Sequence, residues 1–467
     1  MAGGAAPGAG SVTKVLVANR GEVAVRVIRA CRDLGLASVA VYSQADADSL
    51  AVRLADESVC IGAGPAAKSY LNVPAILYAC ARTGADAVHP GYGFLAEDAD
   101  FALACEEAGL VFIGPPSDVI ALMGDKIGAR AAMAAAGVPI SPGSPGALTD
   151  ATDALEWAAK VGYPVLLKAS AGGGGRGLRR VDSAAEMPAA LTETRDAARS
   201  LFQDDRIYLE KYVTAARHVE VQVLADQYGT VLHLGERDCS IQRRHQKLVE
   251  ESPSTVLDDV QREQICAAAV RGAAAIGYSS AGTMEFLVDS AGGFAFMEMN
   301  TRIQVEHPVT EMRTGVDIVG WMIRIAGGVP LGFGQADVRP RGHVIECRIN
   351  TEDVSRNWRG SFGRVTRFVH PGGMNVRVDT HCYEGYVMPP YYDPLLAKVI
   401  VAADTRADAL RRMDRALAEL VCAGVDTTAG FHRQLMRHPV FGAGTHRLDF
   451  VQSYLTADGE LHDEEVD

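Results

Sequence analysis

The chain has 467 residues, 48% of them hydrophobic, and a formal net charge of −13; this describes a soluble polypeptide with two to four structural units and large cores. An acidic balance of this size excludes a nucleic-acid or membrane surface as the main partner. No apolar run is long enough to span a bilayer, the first 11 residues lack a signal peptide's basic start and apolar core, and the nine scattered cysteines include no C-x-x-C pair, so a reducing, cytoplasmic setting is expected.

Residues 1–12 are small and flexible and are expected to be disordered. Residues 14–19 (KVLVAN) form an apolar strand, 20–34 an amphipathic helix ending at Gly35, and 38–43 (SVAVYS) the next strand. This is a βαβ unit of the Rossmann kind. Its turn, Asn19-Arg-Gly-Glu, lacks the G-x-G-x-x-G that cradles a pyrophosphate, which argues against a nicotinamide site. Strands at 85–89 and 111–113 continue the alternation, with His89-Pro-Gly-Tyr-Gly-Phe94 as a rigid turn at a strand's carboxyl end. A helix begins at Met123-Gly-Asp-Lys126, and the Pro/Gly-rich stretch 137–146 marks a boundary. A short helix (153–161) and a strand (163–168) lead to 169–177, ASAGGGGRG. Strand-like residues follow it, and no G-K-[ST] is present, so it is a lid between two strands and not a Walker loop. Lysine is scarce, eight against 37 arginines, and Lys126, Lys168, Lys211 and Lys247 all lie in motif-like surroundings.

Residues 206–213 read as a strand, and 217–225 with 229–237 as a strand pair. The run 238–251 (DCSIQRRHQKLVEE) is a solvated face or, between two β-rich segments, an anion-facing loop. A helix over 263–276 leads to TMEFLVDSAGGFAFMEMN, two apolar runs around a turn cluster, hence a β-hairpin. With 290–293 as the loop, Asp289 opposes Phe294 and Glu285 faces Glu298. Facing carboxylates repel, and a hard divalent cation between them resolves the conflict. Beyond the hairpin, Glu298, Asn300, Arg302, Gln304 and Glu306 recur at period two, so an extended chain puts all five on one face and Met299, Ile303 and Val305 on the other. Such a polar face, fed by a metal hairpin, has the character of a reaction centre. Helices follow at 308–315 and 317–326, then a linker over 327–341. The last third is β-rich (343–350, 363–370, 376–379, 396–401), with a helix at 406–418, a tyrosine-heavy packing stretch over 380–394, and an acidic tail expected to be disordered.

Taken together, Asn19-Arg-Gly-Glu, the His89 turn, Met123-Gly-Asp-Lys, Lys168-Ala-Ser-Ala-Gly-Gly-Gly-Gly-Arg-Gly, Arg243-Arg-His-Gln-Lys247 and Glu298-Met-Asn-Thr-Arg-Ile-Gln-Val-Glu-His307 resemble the biotin carboxylase component of biotin-dependent acyl-CoA carboxylases, an ATP-grasp enzyme. The likeness runs over roughly residues 13–455 and implies an α/β and α+β architecture. Its parts are a Rossmann-like N-terminal domain (13–125), an ATP-grasp domain (126–335) whose glycine-rich lid spans about 140–212, a β-rich C-terminal domain (336–455), and an acidic tail (456–467). The implied chemistry is phosphorylation of bicarbonate by Mg-ATP to carboxyphosphate, which yields CO₂ for N1 of a carrier-borne biotin. The resemblance assigns two Mg²⁺ or Mn²⁺ ions to Glu285, Glu298 and Asn300. It assigns ATP to Lys126, Lys168, Gly173, Gly174, Gly175, Glu210, Lys211, Val213, His218, Gln242 and His245. Bicarbonate falls to Lys247, Arg302, Gln304 and Val305, the role of base to Glu306, the biotin oxygen to Arg348, and the biotin surroundings to Tyr92.

Three departures from the family pattern stand out: Ala171 where a further lid glycine is common, Trp358-Arg-Gly-Ser-Phe-Gly363 for a Phe-x-Pro-Ser-Pro-Gly segment, and Met374 at a dimer position that is often aromatic. No lysine is flanked by methionines, so a separate biotin carboxyl carrier protein and a carboxyltransferase subunit are expected partners, together with a second copy of the chain. Another ATP-grasp ligase would share the metal hairpin and lid but not the whole of Lys247, Arg302–Glu306 and Arg348. A nucleotide-sensing subunit without turnover would have no need of Glu285, Glu298 and Glu306 together.

Overall fold

The computed structural model describes residues 10–172 and 176–465. Strands buried on both faces read as unbroken apolar runs, and five of them open the fold: β1 (Lys14–Val17), β2 (Ala37–Ser43), β3 (Glu57–Gly62), β4 (Ala87–His89) and β5 (Val111–Phe112). All pair in parallel, in the order β3-β2-β1-β4-β5. Helix α1 (Gly21–Asp33) lays Val23, Val27, Ile28 and Cys31 into the core beside them. Strand order reverses between β1 and β4, the place where open α/β sheets expose their carboxyl ends to ligands. Asn19 closes that gap by donating from Nδ2 to the carbonyls of Pro90 and Tyr92, at 2.7 and 2.8 Å. Gly91 sits against this amide at φ +65°, and a Cβ there would come within 2.8 Å of Asn19 Nδ2, so both conformation and space require glycine.

The lid is a three-stranded antiparallel sheet of β6 (Val165–Ala169), β7 (Leu178–Val181) and β8 (Ile207–Lys211), in the order β7-β6-β8. Helices Ala151–Val161 and Met187–Phe202 cover it. The second helix is not anticipated by the sequence reading. Its buried face, Met187, Ala190, Leu191, Thr194 and Ala198, has helical spacing, but three of the five residues are alanine or threonine, so its apolar period is faint.

A single eight-stranded antiparallel sheet forms the rest of the frame. It contains β9 (Arg217–Ala225), β10 (Val231–Arg243), β11 (Gln246–Ser252), β12 (Ser280–Val288), β13 (Phe294–Asn300), β14 (His343–Asn350) and strands Val376–Thr380 and Leu395–Ala403. The order is β13-β12-β9-β10-β11-β14, then Leu395–Ala403, then Val376–Thr380. The linker expected to separate two domains therefore lies between strands of one sheet, since β11 pairs with β14 through Val249–Cys347 and Glu250–Glu346. Apart from its exposed tip at 244–246, the charged run 238–251 is not a solvated face. It is the end of β10, a turn and β11, and its acids are buried and paired: Arg217 with Asp238 at 2.6 Å and Arg406 with Glu251 at 2.7 Å. Trp358 folds onto the last core, edge-on to Phe431 and under the Arg243 guanidinium. The tyrosine-rich stretch packs across to the first sheet, with Tyr392 on Ser43 and Tyr383 donating to the Asp48 carbonyl.

At the chain ends, residues 1–9 and 466–467 lie outside the described residues. Val12 is buried, and the Ser11 amide donates to Gly327 O. The tail differs from expectation over 456–465: Leu461 bridges to Leu455, its side chain joins the last core, and the His462 amide donates to Tyr454 O. One leucine among the acids supplies the apolar anchor that composition alone hides.

Candidate functional site

The hairpin β12–β13 does oppose Glu285 to Glu298, but by a different path from the simple count. Near the turn, Val288 faces Phe294, one residue out from the expected register, and the Asp289 amide instead closes the loop on Gly293 O at 2.9 Å. A β-bulge between the Phe286–Phe296 and Glu285–Glu298 pairs adds one residue to β13 and restores the expected pair.

Glu285 is buried among nitrogen donors. Its Oε1 accepts from Lys247 Nζ, Asn300 Nδ2 and Gln304 Nε2, each at 2.8 Å, and its Oε2 lies 3.0 Å from His218 Nε2. Burial pushes its pKa up, but Lys247 and His218 outweigh that and hold it well below the usual carboxylate range. Glu298 is more open, with Lys126 Nζ 3.6 Å away. These two carboxylates and the Asn300 amide oxygen make a hard, all-oxygen donor set of the kind Mg²⁺ or Mn²⁺ takes, so the residues fit the implied metal.

Past Asn300 the chain leaves the sheet and runs irregularly to helix His307–Thr314, so the period-two face is not a continuous strand. Its alternation still delivers the expected side chains. Gln304 reaches Glu285, Glu306 reaches Lys247, Arg302 donates to Asn300 Oδ1 at 2.9 Å, and Met299 and Ile303 enter the cores. Lys247 Nζ is the hub, at 2.6 Å from Glu220, 2.8 Å from Glu285 and 2.7 Å from Glu306. The other oxygen of Glu306 accepts from Arg348 at 2.9 Å, and Arg348 Nε reaches Glu250 at 2.6 Å. Burial alone would raise the Glu306 pKa; Lys247, Arg348 and Arg237 together drive it well below the carboxylate range. Lys247 and Arg348 are the cations a small anion would meet here, and Glu306 between them is an ionised acceptor whose use as a base rests on hydrogen-bond reach to that anion, since the same cations weaken its basicity.

The lid side is brought close to this centre. Lys168 and Arg130 both bond Glu210, at 2.9 and 2.8 Å. The Lys126 amide donates to Ser170 O at 3.1 Å, which fixes the root of the lid. Gln242 donates to His218 Nδ1 and Cys239 O, both at 2.8 Å, and Val213 is half-buried just past β8. Two of the expected nucleotide contacts point elsewhere: Lys211 Nζ bonds the Gly162 and Tyr163 carbonyls, and His245 is exposed at the β10–β11 tip with φ +65°. Gly173, Gly174 and Gly175 lie outside the described residues. Tyr92 bonds Glu22 through its hydroxyl at 2.5 Å.

Several groups were missed. Arg237, fully buried, holds Glu220 at 2.7 Å and Gln304 at 2.9 Å. Glu97, from the first domain, takes Arg302 Nε at 2.9 Å and the Thr301 amide at 3.0 Å. Glu250 backs Arg348. Glu220 was missed as well, and for it a signal existed: in β9, His218, Glu220 and Gln222 alternate with Val219, Val221 and Val223, a polar face inside a strand that is buried throughout.

Family models match the chain in three consecutive pieces: biotin carboxylase N-terminal domain over residues 11–120, carbamoyl-phosphate synthase L chain ATP-binding domain over 125–333, and biotin carboxylase C-terminal domain over 346–453. Biotin carboxylase 1 of Bacillus subtilis is 52% identical over 444 residues, covering 95% of this chain and 99% of its own. The structure of biotin carboxylase from Campylobacter jejuni in complex with β-γ-ATP superposes with a TM-score of 0.92 at 46% identity, covering 94% of this chain and 98% of that one. The biotin carboxylase domain dimer of Hydrogenobacter thermophilus 2-oxoglutarate carboxylase, in complex with MgADP, ADP and bicarbonate, gives 0.92 at 49% identity, covering 95% and 97%.

Proposed function

This chain belongs to the biotin carboxylase family, and from that premise we propose how its own residues divide the ATP-dependent carboxylation of biotin, the first half-reaction of a biotin-dependent carboxylase. The observation that carries the reading is Glu306, ionised and buried between Lys247 and Arg348. Lys126 and Lys168 meet the phosphates of ATP. Glu210, Val213, His218 and Gln242 line its pocket. Glu285, Glu298 and Asn300 hold Mg²⁺ or Mn²⁺; when bound, the metal neutralises phosphate charge.

Bicarbonate binds against Lys247, Arg302, Gln304 and the backbone at Val305. Its proton passes to Glu306 while its oxygen bonds the γ-phosphorus and the bond to ADP breaks, giving carboxyphosphate. Cleavage of the C–O bond then yields CO₂ and phosphate beside the biotin ring. The released phosphate takes the N1 proton of biotin as N1 bonds CO₂, and Arg348 stabilises the oxygen charge that develops on the ring, a task suited to a fixed guanidinium. Tyr92 lines the approach of the ring. The proposed domain limits are 13–125, 126–335 and 336–455, the last two sharing one sheet. A separate biotin carboxyl carrier protein, a carboxyltransferase subunit, a homodimer and a cytoplasmic setting complete the reading; no helix among the described residues is long and apolar enough to cross a membrane.

The test is ATP hydrolysis with Mg²⁺ and bicarbonate, with and without free biotin, while following labelled carbon into carboxybiotin. Biotin-stimulated turnover with label incorporation, lost in Glu306→Gln, is expected. Turnover indifferent to biotin would reassign the chain to another carboxyphosphate chemistry.

A further inference from the structure

Strand Leu395–Ala403, LLAKVIVAA, is apolar except for Lys398, whose side chain is fully buried. A buried ammonium persists only where charge and hydrogen bonds compensate its lost hydration, so its partners show what it is for. Nζ lies 3.0 Å from Glu22 Oε1 on α1 and 2.7 Å from the carbonyl oxygen of Val305. The same Glu22 oxygen takes the Tyr92 hydroxyl at 2.5 Å. In the sheet, Lys398 stands opposite Arg348 on one side and Asp379 on the other. Burial alone would lower its pKa, but Glu22, Glu346 and Asp379 hold it above the usual lysine range, so the group stays charged.

The identity of the accepting carbonyl matters. Residues 301–306 belong to no strand or helix, so no ladder fixes this backbone, yet its side chains Gln304 and Glu306 must meet Glu285 and Lys247 within a few tenths of an ångström. Val305 sits between them. A backbone shift of 1 Å there would break the 2.7–2.9 Å contacts of Glu306 with Lys247 and Arg348. We propose that Lys398 is a positioning residue for the bicarbonate segment. It pins the Val305 carbonyl from behind, and through Glu22 it ties that segment to the Tyr92 turn. The clamp thus joins all three parts of the chain: Lys398 from the last, Val305 from the middle, Glu22 and Tyr92 from the first. It touches no substrate. Its effect rests on the bicarbonate role read above for residues 302–306, and falls on anion binding and on the geometry of Glu306, while ATP, held by the lid, is spared.

The experiment compares wild type, Lys398→Met and Glu22→Gln by steady-state kinetics in bicarbonate and in ATP, thermal melting, and peptide-level amide exchange. With a cooperative melt retained, Lys398→Met is expected to raise the bicarbonate KM at least tenfold and lower kcat, with the ATP KM within twofold of wild type. Amide exchange over 301–306 should quicken about tenfold while the β12–β13 hairpin keeps its protection. Glu22→Gln, which leaves the Val305 bond but loosens the ammonium, should move the bicarbonate KM about threefold in the same direction. A folded Lys398→Met with unchanged kinetics, or with both KM values shifted by one common factor, overturns the proposal. Should Lys398→Met not melt cooperatively, an unchanged bicarbonate KM in Glu22→Gln overturns it instead. Wild type inert toward biotin would sink the functional reading alone, and the exchange of 301–306 would still decide the clamp.

Discussion

Glu346 tests whether the charge balance around Arg348 has been read correctly. Arg237, Lys247, Arg348 and Lys398 are the cations that meet there, and Glu22, Glu220, Glu250, Glu285, Glu306 and Glu346 the acids. Every one of these acids except Glu346 has a charged partner within 3.0 Å. Both oxygens of Glu346 are buried without a hydrogen bond, directly across the ladder from Glu250. Burial first, and the Glu250 and Glu306 charges after it, raise the Glu346 pKa well above the usual range, only partly offset by Lys398 and Arg348. Its carboxyl is therefore protonated in the folded protein at pH values where the unfolded chain has lost the proton. The folded state then binds more protons than the unfolded one, so stability falls as pH rises from about 4.3 toward the folded pKa, by up to about 1.4 kcal/mol per pH unit. Glu346→Gln keeps the shape and the neutral form but has no proton to lose. Urea midpoints from pH 5 to 8 should show the variant's advantage widening with pH at up to that slope, with carboxybiotin formation near wild type. A stability gap independent of pH, or a variant weaker than wild type by more than 1 kcal/mol at pH 8, would refute the assignment of the proton.

Arg237→Met should lower stability by roughly 3–5 kcal/mol, because it takes the guanidinium from a fully buried Glu220; chemical unfolding reads this directly. Arg348→Met should abolish label transfer to biotin while bicarbonate-dependent ATP hydrolysis survives, and equal loss of both would move Arg348 out of the biotin step. Glu285 and Glu306, both held below their unfolded pKa, stabilise the fold above about pH 4.3 and release that contribution only as pH falls further, so Glu306→Gln should flatten the acid limb of a stability–pH curve. Chelation with EDTA should stop carboxylation, with Mg²⁺ or Mn²⁺ restoring it, and Glu298→Gln should raise the metal concentration needed at least tenfold.

How much of this was legible depended on the range over which each residue acts. The Glu285–Glu298 pair could be read because a hairpin register is local, although here a one-residue turn offset and a one-residue bulge cancel, and a sequence count sees neither. The shared sheet could not be read, because pairing Glu250 with Glu346 joins strands almost a hundred residues apart and leaves no local trace. The same limit hid the supporting charges. Glu220, Arg237 and Glu346 sit in strands of mixed polarity, where a polar face is equally consistent with one toward water, and Lys398 interrupts an apolar run that has no alternation to read. Only the sheet's second covering layer, built by α1 and helix His307–Thr314, turns that face into an interior, and then each charge needs a partner. Lysine scarcity pointed to Lys126, Lys168, Lys211 and Lys247 through their motifs; Lys398, with no motif around it, met the same criterion and was passed over. The residues named from motifs are those that touch substrates, whereas those that hold them in place are set by burial and become visible only once the layers are assembled.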